Sequence, residues 1–290
     1  MGVSFINSLG RGRAVRSMGN VATLSQALEA SKDYEMYFIM TSNIDDDNNV
    51  VDDSATSTIS NNNKNSAAIT SFTPSIIDGI NRNPYAAWEW AMINRVAQRY
   101  DTAAEIHKLA SNAFDEIGDK PRSIICTLDR GIDMASGLRG GGGSSSSSSN
   151  QQLAQTTKLL EDAIESDVNV EGRDVELLQR LVGKEGEART VLAGLQWGTN
   201  SNKAAAETQF GTACTRLDQL NADYNRRNEL NQGRSSTIKP SGVGLGYSID
   251  DLPGAESASC SRFKNDKYID EKLVWSSSLR SKVANFLNIK

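Results

Sequence analysis

Few residues of this 290-residue chain have side chains suited to acid–base or nucleophilic chemistry: there is one histidine, His107, and there are three cysteines, Cys126, Cys214 and Cys260. No C-x-x-C pair occurs, and a single histidine is too little to complete the ligands of a zinc finger or ribbon. Cys214 lies beside an apolar seam, so we expect a small buried thiol there. A disulfide between Cys126 and Cys260 is left open, although no sequence pattern supports it.

We interpret His107 as a structural or solvent-exposed histidine. It lies at the edge of an apolar helical stripe, between Ala104 and Phe114. Catalysis would require a nucleophile and a partner that orients the ring, and the sequence places neither. An S-x-x-K match at residues 261–264 lacks the companion motifs of its enzyme class, and no P-loop, H-E-x-x-H or G-x-S-x-G motif occurs. We therefore expect no enzymatic activity, no catalytic or metal-binding residue and no cofactor.

Two polar segments superficially match ligand-binding loops. An EF-hand that began at Asp45 would need Gly at its sixth position and Glu at its twelfth, where this chain has Val50 and Thr56. The glycines of residues 242–246 follow no predicted strand and fit no G-x-G-x-x-G frame. We therefore interpret the first segment as a solvated or disordered loop and the second as a loop or a β-arm, both without a ligand.

The composition indicates a protein that depends partly on partners for its packing. Apolar residues make up only 38% of the chain, and 31 Lys and Arg against 36 Asp and Glu give a formal charge of −5. Because no domain-sized basic field appears, we expect no nucleic-acid binding. No apolar run approaches the roughly 18 residues of a membrane span, and the N-terminus lacks the hydrophobic core of a cleavable signal peptide.

Periodicity and helix caps divide the chain into segments. Asn83 and Pro84 are the residue types favoured at an N-cap and a first helical position, and the apolar stripe after them predicts one long helix over residues 84–117. The dense apolar run 34–40 fits the end of a helix or a strand. The predicted segments are an N-terminal arm with a helix and this run (1–42), a polar loop (43–82), a helical segment with the long helix (83–139), a Gly/Ser linker (140–151), a helical hairpin with its lead-in helix (152–232), and an irregular arm plus a C-terminal amphipathic helix (233–290).

The strongest pattern is a pair of heptad-spaced helices on either side of a polar turn near residue 200. Apolar residues recur four and three positions apart in both arms, which places them on one helical stripe. The predicted interface consists of Leu177, Leu181, Ala188, Val191 and Leu195 in the first arm and Ala206, Phe210, Ala213, Leu217, Leu220 and Tyr224 in the second. Between these positions the second arm has Glu207, Arg216, Asp218, Gln219 and Asp223, which predict a solvated outer face.

Folding the chain back near residue 200 pairs residues whose numbers sum to about 401. This register places Leu181 against Leu220 and the opposite charges Asp174 and Arg227 next to each other. Lys184 should cover the seam with its stem while its amine reaches Asp218. Gly183 and Gly186 weaken the first arm by about 1 kcal/mol each relative to Ala, so they mark a bend or the close approach of another helix.

These features predict a mainly α-helical bundle that contains an antiparallel, coiled-coil-like hairpin, with long polar loops and flexible termini. In style the sequence is similar to bacteriophage virion proteins and to subunits of export appendages, although no motif selects a family. We therefore expect a non-enzymatic structural subunit that assembles with copies of itself or with other subunits, in a virion or an extracellular appendage, with the compartment itself left open. The alternative is a secreted effector or adaptor that binds a partner protein through the hairpin, and a hydrolase using His107 is a third hypothesis.

Overall fold

The computed structural model describes residues 14, 23–42, 72–138, 147–167, 175–198, 202–232 and 260–288, and within 221–232 it describes little beyond the backbone. These residues form helices and short connections, without a strand among them. The helices pack as a bundle around a shared apolar core. The predicted mainly α-helical bundle is therefore confirmed.

Three helices form the N-terminal part of the bundle: α1 (Leu24–Ser42), α2 (Pro74–Arg82) and α3 (Pro84–Val96). The apolar run 34–40 lies within α1, where Tyr34 and Phe38 are buried. Asn83 caps α3 as expected, because its side chain accepts a hydrogen bond from the backbone of Ala86. The prediction of a polar loop over 43–82 is wrong at its end, since Thr73 caps α2 in the same way and Pro74 occupies its first turn.

The predicted long helix 84–117 is in fact two helices. The first, α3, ends at Val96, and the second, α4, covers Tyr100–Glu116. Gln98 has a φ of 57°, a left-handed conformation that a helix does not continue through. The chain then reverses, so that the Tyr85 ring of α3 meets the Phe114 ring at the far end of α4 with centroids 5.0 Å apart.

Helices α5 (Lys120–Gly137) and α6 (Ser147–Asp167) lie on either side of the Gly/Ser run. The predicted linker 140–151 is too long, because α6 already begins at Ser147. Gly131 of α5 lies so close to Leu160 of α6 that a Cβ at residue 131 would come within 2.4 Å of the leucine side chain. The helices flanking the run therefore share one core.

The hairpin consists of α7 (Val175–Gly198) and α8 (Lys203–Gln232). Arg216 of α8 lies 2.6 Å from Glu185 of α7, and Arg189 of α7 donates a 2.5 Å hydrogen bond to Gln209 of α8. The residue numbers of these pairs sum to 401 and 398, as an antiparallel pair requires. Helix α7 also packs against α5, α6 and the C-terminal helix, so it occupies the centre of the bundle.

The C-terminal segment, residues 260–288, is less regular than predicted. A 3₁₀ turn (Cys260–Lys264), a short helical turn (Asp266–Tyr268) and a π-helical turn (Ile269–Leu273) precede α9 (Ser277–Leu287). The expectation of one amphipathic helix from residue 266 onward is wrong, because Val274 has a φ of 54° and Ser276 starts a new helix as its cap. Gly194 of α7 allows α9 to approach closely, since a Cβ there would lie 3.1 Å from the Val283 Cα.

Candidate functional site

Six charged or titratable side chains meet inside the bundle, and we call them the ionic cluster. They come from α3, α4, α5 and α7, and they are Arg95, His107, Asp129, Asp133, Lys184 and Glu187. Side chains of five of the six are at most 3% exposed, whereas that of Lys184 is 19% exposed. The cluster is therefore part of the core and reaches solvent only at Lys184.

Arg95 connects the two aspartates of α5. Its Nε lies 2.5 Å from Oδ1 of Asp133, and its Nη2 lies 2.9 Å from Oδ1 of Asp129 and 3.1 Å from the Asp129 carbonyl oxygen. The four-residue spacing of Asp129 and Asp133 puts both carboxylates on one helical face, where a guanidinium can bind both. Arg95 thus joins α3 to α5 through three hydrogen bonds.

His107 of α4 is oriented by Asp133. Its Nδ1 lies 2.7 Å from the second oxygen of that carboxylate, while its Nε2 lies 4.0 Å from Asp129 and has no hydrogen-bond partner among the described residues. The solvent-exposed alternative for His107 is wrong, because the ring is fully buried, and its structural interpretation stays a prediction. The structure supplies the orienting partner that sequence reasoning did not place.

Lys184 and Glu187 connect α7 to the cluster. The Lys184 amine lies 2.9 Å from Asp129 and 2.6 Å from Glu187, and Glu187 accepts a 2.9 Å hydrogen bond from the indole of Trp275. The expectation that Lys184 reaches Asp218 is wrong, because its side chain points toward α5 and not toward the partner helix of the hairpin. The buried carboxylates of Asp129 and Glu187 attract the amine more strongly than one exposed aspartate does.

Burial and charge oppose each other in setting the ionisation of the cluster. Burial alone raises the pKa of Asp129, but Lys184 and Arg95 outweigh it and hold that pKa below its usual range. Burial lowers the pKa of Arg95, but Asp133 and Asp129 raise it by more than burial lowers it. The net pKa of Arg95 is therefore above its ordinary value. For Lys184, too, burial lowers the pKa, but Asp129 and Glu187 outweigh burial and raise the net pKa. Arg95, Lys184 and Asp129 are therefore charged at neutral pH.

Tyr100, at the start of α4, also responds to the cluster. Burial and the nearby Asp133 carboxylate raise the pKa of its hydroxyl to about 12, although Arg95 acts in the opposite direction. The hydroxyl is consequently neutral under physiological conditions and adds no charge to the cluster.

The ionic cluster can fix helices in position, because its charge pairs join α3, α5 and α7 inside the bundle. Its two basic side chains bind carboxylates, and His107, the potential general base, is closed to solvent. Across the described ranges, no group of three or more His, Cys, Asp or Glu side chains has an arrangement that could hold a metal ion. The sequence did contain a signal for the cluster, because Asp129 and Asp133 interrupt the apolar stripe of α5.

The predicted hairpin interface residues are placed as follows. Those of α7 are buried, those of α8 are buried except for the half-buried Phe210, and the side chain of Tyr224 lies outside the described part. Asp174 and the side chain of Arg227 also lie outside it, and the pairing of Leu181 with Leu220 stays a prediction. On the outer face predicted for the second arm, Glu207, Asp218 and Gln219 are exposed and Arg216 is half-buried, while the side chain of Asp223 lies outside the described part. On α7, by contrast, the polar residues Glu185 and Thr190 are buried by the surrounding helices.

The cysteine expectations are wrong as well. Cys214 of α8 forms a disulfide with Cys260, with the Cα atoms 5.2 Å apart, and Cys126 is the buried thiol. Burial raises the pKa of Cys126 well above its ordinary value, and Asp129 and Asp119 add to this shift. Sequence spacing could not reveal the pair, because it depends on how the C-terminal segment lies against α8.

A surface cleft of about 510 Å³ lies along the C-terminal segment. Its lining includes the apolar side chains of Trp275 and Val283 and the basic side chain of Arg280. Arg280 is bound by Asp270 and by Asp266, the latter at 3.2 Å. Of the two basic side chains that line the cleft, Arg280 and Lys264, Arg280 is therefore paired with carboxylates of the chain itself.

Comparison with known proteins does not assign this chain to a class, so its class has to be inferred from the fold and the site. The chain matches no protein-family model, and no curated protein or solved structure is significantly similar to it. Among the described helices, none is both long and apolar enough to cross a membrane. The polar loop that begins at Asp45 and the glycine-containing loop at residues 242–246 lie outside the described residues. What the fold and the site define is a mainly α-helical bundle with a closed ionic core.

Proposed function

We propose that this chain is a non-enzymatic α-helical structural subunit that assembles with copies of itself or with other subunits. The observation that supports this most directly is the outer face of α1. The inner face of α1 packs against α3, because Phe38 packs on Trp90 and Ser31 is hydrogen-bonded to both Trp90 and Asn94. On the opposite side, Met36 and Met40 are 49% and 43% exposed.

Met36 and Met40 are four residues apart and therefore adjacent on the helix surface. Large apolar side chains that share an exposed face cost free energy in water, which a partner surface recovers by covering them. Methionine is flexible and polarizable, so it suits an interface whose partner must fit without exact complementarity. Leu24, at the start of the same helix, is also more than half exposed.

The closed ionic cluster supports the non-enzymatic part of the proposal. Its carboxylates bind Arg95 and Lys184, and the ring of His107 is fully buried. An assembly in a virion or an extracellular appendage would use the cluster to keep the subunit rigid. Rigid subunits lose less conformational entropy when they associate.

The test is the mass of the purified chain, measured by size-exclusion chromatography with light scattering and followed by electron microscopy. We expect a multimer, or a chain that multimerises as its concentration rises. Met36→Lys with Met40→Lys should shift the distribution toward monomer by tenfold or more in association constant. Gln151→Lys with Gln155→Lys is the matched control, since it adds the same charges four residues apart on an exposed face of α6.

A compact monomer at all concentrations, with cooperative unfolding, would remove the support for self-assembly. The alternative, an adaptor that binds a partner through the hairpin, predicts a monomer that gains mass only with its partner. Because the seam between α7 and α8 is covered within the chain, such a partner would have to bind the exposed face of α8, where Asp218 and Gln219 lie. Asp218→Lys would then weaken binding, and the methionine substitutions would not.

A further inference from the structure

We infer that the Cys214–Cys260 disulfide is a redox-controlled latch that holds the C-terminal segment over α7 and releases it when reduced. This inference is independent of the proposed assembly. Cys214 is in α8 and Cys260 is the first described residue of the C-terminal segment, so the bond joins the hairpin to that segment. A tether at this position raises the local concentration of the segment at its binding surface.

The C-terminal segment makes polar contacts with α7. Arg262 donates a 2.8 Å hydrogen bond to the Gly183 carbonyl, and its guanidinium lies 4.6 Å from the centre of the Phe263 ring. Phe263 stacks on Trp275 with centroids 6.1 Å apart, and Trp275 in turn binds Glu187 of the ionic cluster. The segment therefore covers the end of the cluster that lies on α7.

The secondary structure between Cys260 and Ser276 is too short to hold this arrangement by itself. It consists of 3₁₀, α and π turns of five, three and five residues. Turns of this length are not stable alone, and Val274 adds a left-handed conformation that is unfavourable for a β-branched residue. Docking of these turns consequently depends on the apolar side chains that they bury in the core, such as Phe263 and Trp275, on the disulfide at one end and on α9 at the other.

The two cysteines of the latch are more exposed to solvent than the third cysteine, Cys126. Cys214 and Cys260 are both partly exposed, so a small thiol or disulfide reagent can reach them. Cys126 is fully buried and its pKa is well above the ordinary value, which suppresses the reactive thiolate. Only the latch pair should therefore exchange with a redox buffer while the protein is folded.

The reaction that closes the latch is thiol–disulfide exchange with a disulfide oxidant such as glutathione disulfide. One thiolate of the pair attacks the oxidant and releases one reduced glutathione. The second thiolate attacks the mixed disulfide, forming the Cys214–Cys260 bond and releasing the other glutathione. The two cysteine protons leave with the two glutathione thiols, and dithiothreitol reverses the reaction.

The test compares the folded full-length chain in glutathione disulfide and in dithiothreitol. Maleimide labelling followed by mass spectrometry should find no reactive thiol in the folded oxidised protein, two in the folded reduced protein and three after reduction and denaturation. Hydrogen exchange should accelerate at least tenfold in residues 262–275 on reduction, while α3 keeps its protection. Cys214→Ser and Cys260→Ser should match the reduced wild type in both buffers.

Cys126→Ala is the matched control and should keep the full redox response. Three free thiols after equilibration with glutathione disulfide would overturn the inference, because the bond would then not form. Equal exchange of residues 262–275 in both buffers would overturn it as well, since the bond would hold nothing. Loss of protection throughout the bundle on reduction would identify a general staple of the fold and would equally overturn a latch.

Discussion

Replacing Arg95 tests whether the ionic cluster holds the bundle together. Arg95→Met keeps much of the volume and the apolar stem but removes the guanidinium that binds Asp129 and Asp133 at 2.9 and 2.5 Å. Two carboxylates that are at most 1% exposed would then remain without this cation. Removing one partner of a buried ion pair typically costs about 3–5 kcal/mol, because the remaining charge is uncompensated.

A loss of this size is a large share of the roughly 5–15 kcal/mol that separates folded from unfolded domains. The midpoint of thermal unfolding should fall by on the order of 10 °C. Chemical denaturation followed by circular dichroism measures the free energy of unfolding directly. The control is Lys158→Met, which breaks the exposed pair with Asp162 and should cause no measurable change.

A double-mutant cycle with Asp133→Asn separates the pair from its surroundings. Once Asp133 is neutral, replacing Arg95 should lower the free energy of unfolding by less than it does in wild type. The loss in the double variant should therefore be smaller than the sum of the two single losses by about 1–3 kcal/mol. If Arg95→Met costs as little as the Lys158 control, or if the two substitutions are strictly additive, the ionic cluster does not stabilise the bundle in the way we describe.

Two further predictions concern pH and helix packing. Because the folded-state pKa of Asp129 lies below its unfolded value of about 3.9, its contribution to stability is present above that value and is lost as the pH falls. The free energy of unfolding, measured by denaturant titration between about pH 5 and pH 3, should therefore fall less steeply in Asp129→Asn than in wild type, and equal slopes would contradict the assignment. Gly194→Ala should destabilise by about 1–3 kcal/mol because its Cβ would press on Val283, whereas Gly211→Ala, with open space around it, should stabilise by about 0.5–1 kcal/mol. A stabilising Gly194→Ala would show that α9 does not approach α7 this closely.

Sequence reasoning succeeded where a local signal decides the structure. The cap formed by Asn83 and Pro84 located the start of α3, because those residues act on the backbone next to them. It failed at Gln98, where the helix breaks without glycine or proline. A left-handed residue of that type is held by packing and by backbone bonds such as that from Arg99 to Asn94, which no local pattern records.

The site was harder to predict than the fold for the same physical reason. Asp129 and Asp133 are polar residues in an apolar stripe, and that alone suggests a buried partner without naming it. Both bind Arg95, which lies 34 residues from Asp129 and 38 residues from Asp133 in the sequence. Asp129 also binds Lys184, which lies beyond the Gly/Ser run. Likewise, spacing could not choose Cys260 as the partner of Cys214, because that choice depends on the position of the C-terminal segment.

The central position of α7 also has a kinetic consequence. Its cluster residues contact Asp129 on one side and Trp275, 88 positions after Glu187, on the other. Contacts between residues so far apart in sequence form slowly, because a long loop must close before they contribute any free energy. We therefore expect Lys184 and Glu187 to stay hydrated until chain segments from both sides arrive, so that desolvation of this helix comes late in folding.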